Sequence, residues 1–70
     1  MNETEFFRKV ISEWGEKDVY SIEKEEIPTL LSFGGKIESN KDNGDGTFST
    51  TIKLRDKQFI CVTTEAINAA

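Results

Sequence analysis

The chain of 70 residues contains no histidine and a single cysteine. Without histidine the common zinc ligand sets cannot form, and a serine or cysteine nucleophile has no imidazole base. Cys61 has no second cysteine for a disulfide within the chain, and its position in an apolar strand indicates a small buried side chain. We therefore expect a binding protein that is not an enzyme and that uses no metal and no cofactor.

The sequence also lacks long apolar segments and an excess of positive charge. No run approaches the roughly 20 apolar residues of a membrane span, and no apolar stretch near the N-terminus is typical of a signal peptide. Together with the one unpaired cysteine, this pattern predicts a reducing, cytoplasmic setting. The net charge of -4 and the pI near 4.7 argue against direct binding to nucleic acid or to an anionic membrane. We expect a basic partner instead.

The short length predicts one domain over residues 1–70 with a small hydrophobic core. Folds of this size often add a disulfide, a metal or oligomerisation to stabilise such a core. Because the composition disfavours the first two, we predict a homodimer.

The first part of the chain is typical of an amphipathic helix from Asn2 to Trp14. Its apolar stripe at helical spacing consists of Phe6, Phe7, Val10, Ile11 and Trp14. Asn2 and Glu5 have the spacing of a capping box, and Gly15 supplies a stop at the other end. We expect the aromatic residues of this stripe to pack against a sheet, with an exposed partner-binding aromatic patch as the alternative.

The middle of the chain is harder to interpret. Residues 16–21 form a connector that contains a short strand near Val19 and Tyr20 in one interpretation. The segment from Glu23 to Phe33 is open to a helix or a strand, and Pro28 fits a helix only within its first turn. We favour a second, short helix that begins at about Ile27.

The remaining residues follow the period of two that is typical of strands. Strands are predicted at Lys36–Ser39, at Phe48–Leu54 and, after the tight turn at Arg55, at Lys57–Thr64, followed by a frayed tail from Glu65 to Ala70. Because the last strand is apolar on both faces, we expect it to be central or to face a dimer partner. The predicted fold class is α+β, with the N-terminal helix packed on a three-stranded antiparallel sheet.

The loop before the second of these strands resembles an EF-hand calcium loop, from Lys41 to Phe48. The resemblance fails because Lys41 occupies the first ligand position and Ile52 occupies the twelfth, where calcium needs carboxylates. We interpret the segment as a hairpin loop in which Gly44 and Gly46 provide positive φ angles.

Acidic residues are concentrated in the first part of the chain. Residues 1–26 hold eight acids and four bases, whereas residues 27–70 hold five of each. Six of the acids, which we predict to contact a partner, are Glu13, Glu16, Asp18, Glu23, Glu25 and Glu26. Their spacing is compatible with DNA mimicry, in which carboxylates replace phosphates on the groove of a DNA-binding protein. The alternative is a solvated acidic face that maintains solubility.

The whole chain resembles the small host-takeover proteins of bacteriophages, and in particular phage DNA-mimic inhibitors of the bacterial histone-like protein HU. The resemblance lies in size, acidity, absence of histidine, the layout of a helix followed by a hairpin, and the acidic stretches at residues 13–18 and 23–26. Such mimics share no sequence motif, so no functional residue is transferred by alignment. The resemblance implies that the protein occupies the DNA-binding surface of HU. The alternative function is a small regulator that binds a host protein unrelated to nucleic acids through an apolar face.

Overall fold

The computed structural model describes residues 2–65 of the chain. Its helices and strands are α1 (Glu3–Trp14), β1 (Val19–Ser21), a 3-10 turn (Lys24–Glu26), α2 (Ile27–Ser32), β2 (Lys36–Asp42), β3 (Phe48–Leu54) and β4 (Lys57–Thr63). The predicted α+β class is therefore confirmed. Of the predicted C-terminal tail, residues 66–70 lie outside the described part of the chain.

Helix α1 begins and ends where its sequence predicts. The Asn2 side chain accepts a hydrogen bond from the Glu5 amide at 2.8 Å and so caps the first turn. At the other end Gly15 adopts a φ of 83°, and its amide donates to the Ile11 carbonyl at 2.8 Å. Phe6 and Phe7 are buried, as the apolar stripe predicts.

Helix α2 resolves the ambiguity between helix and strand in the middle of the chain. The helix begins at Ile27, and Pro28 lies in its first turn, where the missing amide proton costs no helical hydrogen bond. Gly34 ends it with a φ of 96°. Gly35 then donates its amide to the Leu30 carbonyl at 2.9 Å.

The sheet differs from the predicted one in strand number and in direction. It has four strands in the order β1-β4-β3-β2, and β1 lies parallel to β4 with Tyr20 opposite Phe59. The prediction of a three-stranded, wholly antiparallel sheet was therefore wrong, although β2, β3 and β4 do form an antiparallel meander. A strand of three residues has too little periodicity to reveal its pairing, and here the parallel partner lies almost forty residues further along the chain.

Strand β2 continues to Asp42, three residues beyond its predicted end, and joins β3 through a hairpin loop. The Asn43 amide donates to the Thr47 carbonyl at 3.0 Å, and the Asp42 carboxylate accepts from the Gly44 amide at 2.8 Å. Gly44 and Gly46 have φ angles of 81° and 89°. The hairpin interpretation of this loop is confirmed.

The two helices cover only one face of the sheet. The core between the layers consists of Phe6, Phe7, Val10, Tyr20, Ile22, Ile27, Leu30, Ile52, Leu54, Phe59 and Cys61. Phe59 lies at its centre on β4, fully buried and stacked on Tyr20 with ring centroids 5.5 Å apart. The opposite face, which we call the open sheet face, exposes Val19 and Val62.

Candidate partner-binding surface

The six predicted acids lie along the β1 edge of the molecule. Glu13 is in the last turn of α1, Glu16 and Asp18 lie just before β1, and Glu23, Glu25 and Glu26 lie between β1 and α2. We call this set the acidic margin. From Asp18 to Glu23 the chain advances five residues, and at about 3.3 Å per extended residue this corresponds to about 16 Å. This extended part of the margin is therefore comparable in length with a short segment of duplex DNA.

Most carboxylates of the acidic margin form no ion pair within the described chain. Ion pairs among residues 2–65 join Lys24 to Glu65 at 3.9 Å, Arg55 to Glu3, and Lys57 to Glu16 at 3.4 Å. Among these paired residues only Glu16 belongs to the acidic margin. Within the described chain, the other five acids of the margin have no partner within ion-pairing distance. Lys24, which alternates with these acids in sequence, instead points to Glu65. Five carboxylates are thus available to an external cation.

Glu13 occupies a position that the helix itself does not favour. The last turn of α1 contains no basic residue, and the Glu13 carboxylate lies near the negative end of the helix dipole. An acid at this end costs about 0.3–1 kcal/mol of helix stability. Glu13 therefore lowers the stability of α1, so helix stability does not explain an acid at this position, which is compatible with a role in binding.

Two buried polar groups hold the loop that carries Glu16 and Asp18. The Tyr20 hydroxyl donates to the Gly15 carbonyl at 2.7 Å and accepts from the Lys17 amide at 2.9 Å. From β4, the Lys57 ammonium donates to the Lys17 carbonyl at 2.7 Å. Because Tyr20 is 2% exposed and Lys57 is 6% exposed, the loop is fixed from inside the molecule.

Burial and the nearby acids of the margin shift the pKa values of two side chains, Lys57 and Cys61. Burial lowers the pKa of Lys57, but its hydrogen bond to Glu16, together with the charge of that carboxylate, raises it more, so the group stays cationic. Burial raises the pKa of the Cys61 thiol, and the negative charges of Glu23, Glu25 and Glu26 raise it further. The 3-10 turn that carries Glu25 and Glu26 lies next to β4, where Cys61 is buried.

A cleft between α1 and α2 joins the two ends of the acidic margin. Its volume is about 200 Å³, and it is lined by Phe6, Lys9, Val10, Glu13, Trp14, Glu26 and Thr29. Glu13 and Glu26, which are distant in sequence, thus lie on the same cleft. Trp14 is 41% exposed there, with its ring centroid 6.2 Å from that of Tyr20. The cleft combines apolar walls with two carboxylates.

The opposite margin of the sheet, at β2, carries no excess of acidic residues. Lys36 on β2 is paired directly with Lys53 on β3, and both side chains are exposed. Strand β2 lies three strand intervals of about 4.8 Å, or about 14 Å, from β1, and it carries two bases and two acids, Lys36, Lys41, Glu38 and Asp42. The net negative charge therefore lies on the β1 side of the sheet, and such an uneven distribution orients an approaching charged partner.

Three features of this surface were not anticipated from the sequence. Trp14 was expected to pack on the sheet with the other aromatic residues of α1, but it is partly exposed in the cleft. Lys57 was expected only as the first residue of a strand, yet it alternates with Phe59 and Cys61 on the buried face. Lys9 lines the cleft, and only the packing of α1 against α2 reveals it.

No protein-family model matches the chain, and neither a curated protein nor a solved structure shows significant similarity to it. In residues 2–65 no three Asp, Glu or Cys side chains are grouped in a way that could hold a metal ion. The helices in this range are also too short and too polar to cross a membrane.

Proposed function

We propose that the protein binds a basic DNA-binding protein, an HU-like nucleoid protein, and blocks its DNA-binding surface. The observation that supports this proposal is the set of five exposed or half-exposed carboxylates on the acidic margin that lack an ion-pair partner in the described chain. HU bends DNA with basic arms in the minor groove, so an array of carboxylates is a chemically suitable decoy. The proposed setting is the bacterial cytoplasm, with the protein encoded by a phage.

The charge density of the margin determines how such a decoy works. Duplex DNA presents one negative charge per roughly 1.7 Å, or about nine over 16 Å, whereas the extended segment of that length in the margin carries two free carboxylates, Asp18 and Glu23. The electrostatic field of one copy is therefore weaker than that of DNA. Affinity must come from fixed positions of individual carboxylates, which the internal hydrogen bonds from Tyr20 and Lys57 provide for the loop before β1.

We further propose a homodimer, which doubles the acidic surface and gives it twofold symmetry. The open sheet face supports this proposal, because Val19 and Val62 are 45% and 59% exposed there and Ile60 lies between them in the sheet. Sedimentation of the protein and of Val62→Lys tests it. A twofold mass that falls to that of the monomer in the variant is the expected result, and a monomer in the unchanged protein refutes the dimer.

The blocking function is tested with purified HU and a fluorescently labelled DNA duplex. We expect the protein to displace the duplex and to bind HU with an affinity that falls steeply with salt. The variant Glu23→Lys/Glu25→Lys reverses two acids of the margin. The matched control, Glu38→Lys/Asp56→Lys, makes the same change of charge at exposed residues outside it.

The first variant should weaken binding to HU at least about tenfold more than the control, because like charges are then placed in contact. Equal effects of the two variants contradict a specific role for the margin. Failure of the unchanged protein to bind HU or to displace DNA refutes the proposed function.

The open sheet face also favours a second candidate function, in which the protein regulates a host protein that does not bind nucleic acid. Contact through Val19 and Val62 is apolar, so this complex should persist at high salt. Partner capture at stepped salt concentrations separates the two candidates. A salt-resistant partner that is lost with Val62→Lys supports the second, and a salt-sensitive basic partner supports the first.

A further inference from the structure

The cleft between α1 and α2 is small for a metabolite but suited to one long side chain. Small-molecule sites usually enclose roughly 300–1,000 Å³, and this cleft encloses about 200 Å³. Its walls are apolar where Phe6 and Val10 line it and acidic where Glu13 and Glu26 line it. An occupant that matches these walls has an aliphatic stem and a positive head.

The partly exposed ring of Trp14 favours a guanidinium group over an ammonium group as the positive head of the occupant. The Trp14 indole is partly exposed in the cleft, and a cation within about 6 Å of an aromatic ring is attracted to the ring face. A guanidinium is planar, stacks on such a ring and donates five hydrogen bonds, whereas an ammonium is compact and more strongly hydrated. Glu13 and Glu26 supply the carboxylate acceptors for those donors.

We propose that the cleft binds an arginine side chain of the basic partner, with its guanidinium on Trp14 and between the carboxylates of Glu13 and Glu26. This inference rests on the proposed function, because it assigns one contact within the acidic margin. It also gives a reason for the acid at the unfavourable end of α1, since Glu13 lies where the arginine needs an acceptor.

Lys9 is a competing cation within the same cleft. It precedes Glu13 by one turn of α1, yet no ion pair joins the two side chains in the described chain. Its positive charge opposes an incoming guanidinium. Replacement by glutamine should therefore strengthen arginine binding by about two- to fivefold, the range expected for an exposed charge.

The first test measures binding to purified HU by calorimetry for two variants that each remove two negative charges. Glu13→Gln/Glu26→Gln changes the cleft, and Glu23→Gln/Glu25→Gln changes acids of the margin that do not line it. We expect the first to lose about tenfold to hundredfold in affinity, because hydrogen bonds between charged groups are removed. The second should lose only about two- to fivefold. Circular dichroism melts confirm that both variants are folded.

The second test uses the fluorescence of Trp14, the only tryptophan of the chain, as a direct reporter on the cleft. The unchanged protein is titrated with a short arginine-containing peptide and with the same peptide carrying citrulline, the neutral analogue of arginine. A saturable change with arginine that is absent with citrulline, and larger in Lys9→Gln, is expected. No response to arginine overturns the proposal without requiring any variant to fold.

The outcomes separate this inference from the proposed function. If HU binds the unchanged protein and the two glutamine variants lose affinity equally, the arginine site is refuted while the blocking function stands. If HU does not bind, the blocking function fails, and the peptide titration alone decides whether the cleft binds arginine.

Discussion

Removal of the Tyr20 hydroxyl tests how the loop before β1 is held. Tyr20→Phe deletes two hydrogen bonds, to the Gly15 carbonyl at 2.7 Å and from the Lys17 amide at 2.9 Å. The ring keeps its stacking on Phe59, so only the polar contribution is lost. At about 0.5–1.5 kcal/mol for each hydrogen bond, the free energy of unfolding should fall by about 1–3 kcal/mol. Because Gly15 and Lys17 are exposed, water replaces part of this loss, and we expect about 1–2 kcal/mol.

Urea unfolding followed by circular dichroism measures this change, and thermal melting checks it. For a domain of this size a change of about 1–2 kcal/mol corresponds to a melting temperature lower by about 4–16 °C. Ser21→Ala, which removes a hydroxyl from the exposed neighbour of Tyr20 in β1, is the matched control. If Tyr20→Phe changes stability by less than about 0.5 kcal/mol, as typical surface substitutions do, the hydroxyl does not hold the loop and our reasoning is wrong.

Three further substitutions should change the free energy of unfolding, or its dependence on pH, in different ways. Glu13→Lys should raise the free energy of unfolding by about 0.5–2 kcal/mol in thermal melts, because it exchanges an acid for a base at the negative end of α1, and it should weaken binding to HU. Since the pKa of Cys61 is raised in the folded state, the unfolded thiol loses its proton first as pH rises. Stability should therefore fall above about pH 8.5, and Cys61→Ala should remove that fall in urea titrations. Gly35→Ala should destabilise by about 1–3 kcal/mol in the same assay, because its Cβ would lie 2.7 Å from the Leu30 carbonyl oxygen.

The elements that could be predicted from the sequence are those whose pattern is local. Helix α1 has a complete set of such signals, from the Asn2 cap to the Gly15 stop, and the structure confirms both. The β3-β4 hairpin likewise follows from alternation and a two-residue turn. Strand β1 was missed as a member of the sheet because its three residues bury only Tyr20, and its parallel partner is fixed by the intervening helix and strands.

The candidate site was predictable in its charges but not in its geometry. Composition identified the acids of the margin, yet it could not show that Glu13 and Glu26 line one cleft, because that depends on how α1 packs against α2. It also could not show that Glu16 is offset by Lys57, since a lysine near the start of a strand is ordinarily exposed. Lys57 shares the buried face of β4 with Phe59 and Cys61, and it reaches Glu16 because β1 pairs with β4.

The distribution of cations within the fold argues for binding over solvation as the role of the acidic margin. A surface that served only solubility could intersperse both signs freely, and exposed ion pairs would cost little. Within residues 2–65, Lys57 is buried and paired with Glu16, Lys24 is paired with Glu65, and Lys17 is the remaining base among the acids from Glu16 to Glu26. The β1 side therefore holds more carboxylates than cations, and we predict that a basic partner reduces their mutual repulsion on binding.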